Sequence, residues 1–399
     1  MAIQRVGKVG SPNSSGAFTV KRSAASRVRP LSLNSQNSTE THSAYKGFGA
    51  LRSTRWQASK KCAKIGRETS NRTLKKRTLS TRIPHKRNQV EFVEVNGEDA
   101  ASRTDQTPQS EAIKIPRSIE EVDNGSLLGF GDDLAEDHPG YLDEEYKARR
   151  VMIGNLGRSH KVGQEIPRLQ YTDTEIATWK EILDSLEEFF PRFACKEYLD
   201  AYALCDFSKE EVPQLQDMSE LLQKQSGWSI RPVAGLLHPR DFLNGLAFKT
   251  FHSTQYMRHH SKPMYTPEPD VCHELIGHVP MLLNPQYAQL AHEIGLASLG
   301  ASEKDIWHLT KVYWYTIEFG VVMQEGEAKA FGAGIISSYG EIQHQGAGKA
   351  TLQKLDPYSK LPKMSYKDGY QQLYMTLDSF EDGVKLLRNF ASSRPKSCA

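Results

Sequence analysis

Asp270-Val271-Cys272-His273-Glu274-Leu275-Ile276-Gly277-His278 puts two histidines and the carboxylate between them inside nine residues. Two neutral imidazoles and one carboxylate on a single face of an ion suit non-heme Fe(II) and leave coordination positions open for oxygen. The stretch supplies only part of such a set. His273 and His278 are five residues apart, so at ~100° per residue they point ~140° away from one another on a regular helix, whereas the i, i+4 pair of a His-Glu-x-x-His zinc motif shares one face. They converge only if the backbone departs from a regular helix or a third group completes the site. Glu318, in Tyr313-Trp314-Tyr315-Thr316-Ile317-Glu318-Phe319-Gly320, is the candidate, because a carboxylate buried among aromatics is costly unless it is paired or metal-bound. Two readings compete: a surface glutamate beside two core histidines, and a zinc hydrolase site.

Outward from the motif, His252-Ser253-Thr254-Gln255-Tyr256-Met257-Arg258-His259 and Lys262-Pro263-Met264-Tyr265-Thr266-Pro267-Glu268-Pro269 bring an arginine, a threonine and rigid proline turns close by. Arg258 could fork onto a substrate carboxylate or form a structural salt bridge. Trp314 and Pro269 could sandwich an aromatic ring or pack as ordinary core. Cys272 has a thiolate reading, but lone cysteines are more often small buried hydrophobes. The five cysteines, Cys62, Cys195, Cys205, Cys272 and Cys398, show no CxxC pairing or regular spacing, which argues against a disulfide framework and fits a reducing compartment better.

The net charge of +3 describes neither end of the chain. Residues 1–90 carry 20 Lys/Arg and two acids, Glu40 and Glu68, and the remainder carries 31 basic and 46 acidic residues. The basic part is rich in Ser and Thr and lacks apolar periodicity, so it buries too little surface to offset chain entropy. It reads as a disordered leader over 1–90 with the composition of an organelle transit peptide. The competing reading is a basic arm for nucleic acid or anionic lipid, carried by Lys75-Lys76-Arg77 and Lys86-Arg87, though few aromatics are available there to stack on bases. Residues 91–112 read as linker. No stretch approaches the roughly 18–20 apolar residues that span a bilayer, so no membrane is expected as partner; with few aromatics in the leader and no recognisable nucleic-acid fold, no nucleic acid is expected either.

Residues 113–395 read as one mainly α-helical domain with a few short strands. Helices are expected over 172–190, capped by Thr172 or Asp173, and over 194–207, 215–223, 285–299, 303–327 and 370–390. A short strand is expected over 227–233, and a strand or turn over 335–339.

Several runs resemble the aromatic amino acid hydroxylase family. They are His252-Ser253-Thr254-Gln255-Tyr256, Met264-Tyr265-Thr266-Pro267-Glu268-Pro269-Asp270, His273-Glu274-Leu275-Ile276-Gly277-His278-Val279-Pro280, Glu293–Gly300 and Ser337-Ser338-Tyr339-Gly340-Glu341, in that order. The resemblance implies a mainly α catalytic domain with Fe(II) held by His273, His278 and Glu318. A reduced pterin and O₂ would bind beside it, and the ring of an aromatic amino acid would be hydroxylated. Phenylalanine is the leading substrate, with tyrosine or tryptophan as alternatives. By the same matching, Arg258, Thr266 and Ser337 would hold the amino acid, and Pro269, His273, Trp314 and Phe319 would line its ring pocket. Gly235, Leu236, Leu237, Phe242, His252 and Glu274 would face the cofactor, with Glu274, His252 and Tyr313 as the residues nearest the chemistry. Three departures qualify this. The leader does not resemble the regulatory domain of the animal enzymes. His238-Pro239 replace serines after Gly-Leu-Leu, which leaves tetrahydrofolate as an alternative to tetrahydropterin. The chain stops near Ala399 without a tetramerisation arm, so a monomer or weak oligomer is expected. A plastid is the expected compartment, and a mitochondrion the alternative.

Overall fold

The computed structural model describes residues 114–129, 134–364 and 369–394; the expected leader, 1–90, and linker, 91–112, lie outside the described residues. After the short strand β1 (Leu127–Gly129) and helix α1 (Glu144–Ser159) comes α2 (Asp173–Leu186). Thr172 caps α2 with a full capping box: its side chain accepts from the Glu175 amide and the Glu175 carboxylate accepts from the Thr172 amide. The apolar stripe of α2 then buries Trp179, Ile182, Leu183 and Leu186, each such burial stabilising the fold by about 1.5–3 kcal/mol.

Next come α3 (Phe190–Phe193), α4 (Lys196–Cys205), α5 (Leu215–Gln225), β2 (Ser229–Pro232), β3 (Leu236–Leu237), α6 (Pro239–Ala247) and β4 (Thr250–Ser253). Past the histidine motif lie α7 (Val279–Leu283), α8 (Pro285–Ser298) and α9 (Glu303–Tyr313). The C-terminal third holds β5 (Gly320–Gln324), β6 (Glu327–Ala330), α10 (Ala333–Ile336), α11 (Tyr339–Gly346), β7 (Thr351–Lys354), β8 (Leu373–Leu377) and α12 (Phe380–Ser392). Helix α8 is the central rod, with α6 and α12 packed against it. The strands are short, and the domain is mainly helical as expected. Among the described residues no helix is long and apolar enough to cross a membrane.

Three expected elements differ. The helix expected over 303–327 ends at Glu318, and Gly320-Val321-Val322 starts a hairpin instead. Glu325 and Gly326 both have positive φ, 53° and 84°, the two-residue turn whose twist matches antiparallel strands. The helix expected over 370–390 is a strand followed by a helix. The run from Leu373 to Leu377 enters a four-stranded sheet ordered β6-β5-β8-β7, and Ser379 then caps α12 by accepting from the Asp382 amide. Leu373 and Leu377 fit helical and strand periodicity equally, so spacing alone misassigns them. The strand or turn expected over 335–339 is the end of α10 and the start of α11.

Two small ladders shape the pocket. β2 and β4 run parallel with Arg231 beside His252, and β1 pairs antiparallel with β3.

Candidate metal centre and the pocket around it

The angular obstacle between His273 and His278 is removed by a π-helical turn over His273–His278. Its i→i+5 bonding widens the helix, so side chains five apart come to one face. A second π turn, Trp314–Glu318, extends α9 and delivers Glu318. The two Nε2 atoms stand 3.0 Å apart. Glu318 Oε1 lies 3.2 Å from His278 Nε2, and Oε2 lies 3.5 Å from His273 Nε2. Two ligand atoms each about 2.1 Å from an ion and at right angles to it would stand about 3.0 Å apart, so the nitrogens fit neighbouring coordination positions.

The tautomer fits as well. The Ser337 hydroxyl donates to the Ala333 carbonyl at 2.8 Å, so toward His273 Nδ1, 2.8 Å away, its oxygen can only accept. In that arrangement the ring proton is on Nδ1 and the Nε2 lone pair faces the site. The electrostatics point the same way. Burial pushes Glu318 up, but the imidazoles of His278 and His273 outweigh it and hold the carboxyl down at about 2. His273 is lowered to about 4, by burial and by His278, against the pull of Glu318. Burial also lowers His278, yet Glu318 raises it on balance. Donors that draw a proton between them in this way also draw a cation. His278 is buried, whereas His273 and Glu318 keep partial exposure, which leaves one side of the cluster accessible.

Glu274 is the other carboxylate in reach, its ligand atom within 4.8 Å of those of both histidines. It stands 4.0 Å from His278 Nε2, farther than Glu318, and accepts from the Thr254 amide and hydroxyl at 3.3 and 3.4 Å. Burial pushes its carboxyl up to about 8. Glu318 is thus the carboxylate nearer to the histidine nitrogens, and Glu274 lies beside the cluster.

The segment 258–270 forms the next wall. Arg258 is buried, its Nε and Nη2 forked onto the two carboxylate oxygens of Asp270 at 3.0 and 2.7 Å, and its Nη1 donates to the Pro263 carbonyl at 3.2 Å. Asp270 also accepts from the amides of Arg258 and His273, which ties the arginine to the start of the π turn. Thr266 Oγ1 donates to the Glu268 carbonyl at 2.7 Å. The Pro269 carbonyl accepts from Tyr256 Oη at 2.7 Å. The buried Glu268 side chain anchors the segment, ion-paired with Arg150 and 3.1 Å from His138 Nε2. Flanking Glu318 in the chain, Trp314 and Phe319 stand 4.6 Å apart, tilted by 42°, and both are only partly buried.

Gly235, Leu236, Leu237 and Phe242 lie on β3, its approach and α6. Phe242 meets Tyr313 edge-on at 5.2 Å and stands 6.4 Å from His252. His252 is buried with both ring nitrogens unpartnered, and burial, with Arg231, lowers it to about 3, so it is neutral near pH 7. Orphaned buried nitrogens ask for a ligand or water, and a heteroaromatic cofactor with amide and amine edges would supply partners. Tyr313 Oη lies near enough to help hold Glu318 down, without a hydrogen bond of ordinary geometry. Pro239 occupies the first turn of α6, where its missing amide costs the helix nothing, and His238 Nδ1 accepts from the Arg240 amide at 3.3 Å. Cys272 is buried, and burial pushes its thiol well up, which fits the hydrophobe rather than the thiolate reading.

Sequence reasoning missed three contributors. Asp270 stood in the first motif without a role, although an acid three residues before His273 is placed to accept from that amide. Ser337 was expected on the substrate side, but its hydroxyl is committed to His273 and Ala333. Glu268 and its partners, 118 and 130 residues away in sequence, left no local signal.

A family model of biopterin-dependent aromatic amino acid hydroxylases matches residues 113–398. The chain is 60% identical to the chloroplastic phenylalanine 4-monooxygenase of Pinus taeda over 278 residues, 69% of this chain and 78% of that protein. To the corresponding protein of Physcomitrium patens it is 55% identical over 311 residues, 77% and 78% of the two chains. The fold is similar to a crystal structure of phenylalanine hydroxylase from Chromobacterium violaceum with bound iron(III) and oxidised cofactor 7,8-dihydrobiopterin. The TM-score is 0.52 and the identity 27%, covering 62% of this chain and 93% of that one.

Proposed function

We infer that this chain, which belongs to the biopterin-dependent aromatic amino acid hydroxylases, is a phenylalanine 4-monooxygenase that converts L-phenylalanine to L-tyrosine. The observation that supports it best is the pair of π turns, which turn two histidines five apart and a distant glutamate into three donors on one face. In this reading His273, His278 and Glu318 hold Fe(II), and Ser337 fixes the ring of His273 with Nε2 forward. When bound, the iron and a reduced pterin supply the activation of O₂ and the oxidising power that puts one oxygen atom on the ring.

The chain's own residues provide position. Arg258, already oriented by Asp270, presents a fixed positive charge to the substrate carboxylate, and Thr266 assists from the same segment. Pro269 and the Trp314–Phe319 pair hold the ring over the open side of the cluster and keep water from it. On the other side Phe242 would stack on a pterin, and Gly235, Leu236, Leu237, Glu274 and His252 would meet its polar edge. Tyr313, edge-on to Phe242, would line the same side. A zinc hydrolase can use the same three donor types, but the family match over residues 113–398 is to hydroxylases. The 55–60% identity to chloroplastic relatives supports a plastid location, with the basic leader, residues 1–90, as the targeting segment.

The deciding assay supplies the purified protein with Fe(II), O₂, each aromatic amino acid in turn, and either tetrahydropterin or tetrahydrofolate. Tyrosine formed from phenylalanine is the expected product. Stoichiometric zinc together with hydrolase activity, or no hydroxylation with any combination, would overturn the reading. Turnover with tetrahydrofolate alone would assign the departure at His238-Pro239 to cofactor choice.

A further inference from the structure

Trp314 is held from behind. Its indole N–H donates to Gln371 Oε1 at 3.4 Å, and the backbone N–H of Gln371 donates to Glu341 Oε1 at 3.1 Å. The same oxygen of Glu341 accepts from Tyr374 Oη at 2.5 Å. Glu341 and Gln371 are each 5% exposed and Tyr374 1%, so this network has little water to replace a lost partner. Burial pushes the Glu341 carboxyl above its ordinary value, while Tyr374 and Gln371 pull it back. Glu341 sits in the first turn of α11, where Ser338 caps the helix by accepting from the Glu341 amide, and Ser337 beside it orients His273. One helix start therefore reaches the metal side through Ser337 and Trp314 through Glu341 and then Gln371.

We propose that Glu341 is a positioning residue for the substrate ring, acting through Gln371 on the indole of Trp314. The inference rests on the phenylalanine hydroxylase reading and adds to it a determinant of amino acid binding that lies outside the pocket. A buried carboxylate is suited to the task because hydrogen bonds to a charged acceptor are stronger than neutral ones and hold their geometry more closely.

The test measures phenylalanine affinity by calorimetry on the iron-loaded enzyme without oxygen, the KM values for phenylalanine and pterin, and pterin oxidised per tyrosine formed. Glu341→Ala is expected to weaken phenylalanine binding about tenfold, the worth of one hydrogen bond to a charged group. It should also raise uncoupled pterin oxidation while leaving pterin KM and iron content unchanged. Glu341→Gln keeps an acceptor oxygen and should recover most of the loss. Gln371→Ala should reproduce the defect, and the double variant should be no worse than either single one, as expected for residues acting in one line. If Glu341→Ala does not fold, Gln371→Ala decides alone. Unchanged phenylalanine affinity in Gln371→Ala overturns the proposal, and so does an equal loss of phenylalanine, pterin and iron binding in Glu341→Ala. A wild-type enzyme that forms no tyrosine overturns the underlying reading, whereas an active wild type with unaffected variants overturns the positioning role only.

Discussion

The hydroxyl of Ser337 accepts from His273 Nδ1 and donates to Ala333, so its removal frees that imidazole to take either tautomer. Ser337→Ala is expected to weaken iron binding about 10–100-fold, read by competition with a chelator, while Glu318→Gln and His278→Ala should leave the purified protein without iron by metal analysis. Wild-type iron in either ligand variant would remove that residue from the set. Asp270 acts on stability instead. Arg258 overrides burial and lowers its carboxyl, so the Asp270 contribution is complete above about pH 4, the unfolded value, and is lost as pH falls toward the lower folded one. Asp270→Asn should cost about 3–5 kcal/mol at pH 7, because it leaves a buried arginine uncompensated. Urea unfolding should show that gap closing in acid. The proposed ligands can be picked out of the sequence because few residue types bind metals and His273, His278 and Glu318 fall in two short runs. Ser337's service to His273 cannot, since a serine hydroxyl is at home in any environment and only the fold shows what it faces.

At the scale of elements, the π turn over His273–His278 is wedged against α10. A Cβ on Gly277 would lie 2.8 Å from the Ala333 Cβ and 2.9 Å from its carbonyl oxygen. Gly277→Ala should therefore force the turn and α10 apart at a cost of about 1–3 kcal/mol and weaken iron binding in the same protein, as thermal unfolding with and without added Fe(II) would show. Gly277→Ala with wild-type iron affinity would mean that the turn does not depend on this contact. Helix starts could be read from Thr172 and its capping box, but the widened turns could not. The sequence shows that His273 and His278 cannot share a face of a regular helix, and stops there. Which way the backbone gives is settled by packing on α10 and by Asp270 gripping the first amide. The helix expected through Glu327 fails for a related reason: apolar spacing continues past Glu318, while the hairpin turn at Glu325-Gly326 is visible only if both residues are allowed positive φ.

For the whole molecule, the long-range ties are what carry the pocket. Segment 258–270 is pinned to α1 by Arg150 and Glu268, and Trp314 to α11 through Gln371 and Glu341, so local damage should be felt at a distance. Glu268→Ala is expected to raise the phenylalanine KM more than the pterin KM, because the segment it holds carries Arg258 and Thr266 but none of the pterin-facing residues. Equal changes in both constants would argue against that division of the pocket. The surplus residue in His273–His278 has a wider meaning. Removing any one of Leu275, Ile276 or Gly277 would leave His-Glu-x-x-His, the signature of a helix that binds zinc and hydrolyses peptides. A single residue thus separates the two spacings, and the π turn over His273–His278 is where the fold takes up the extra one.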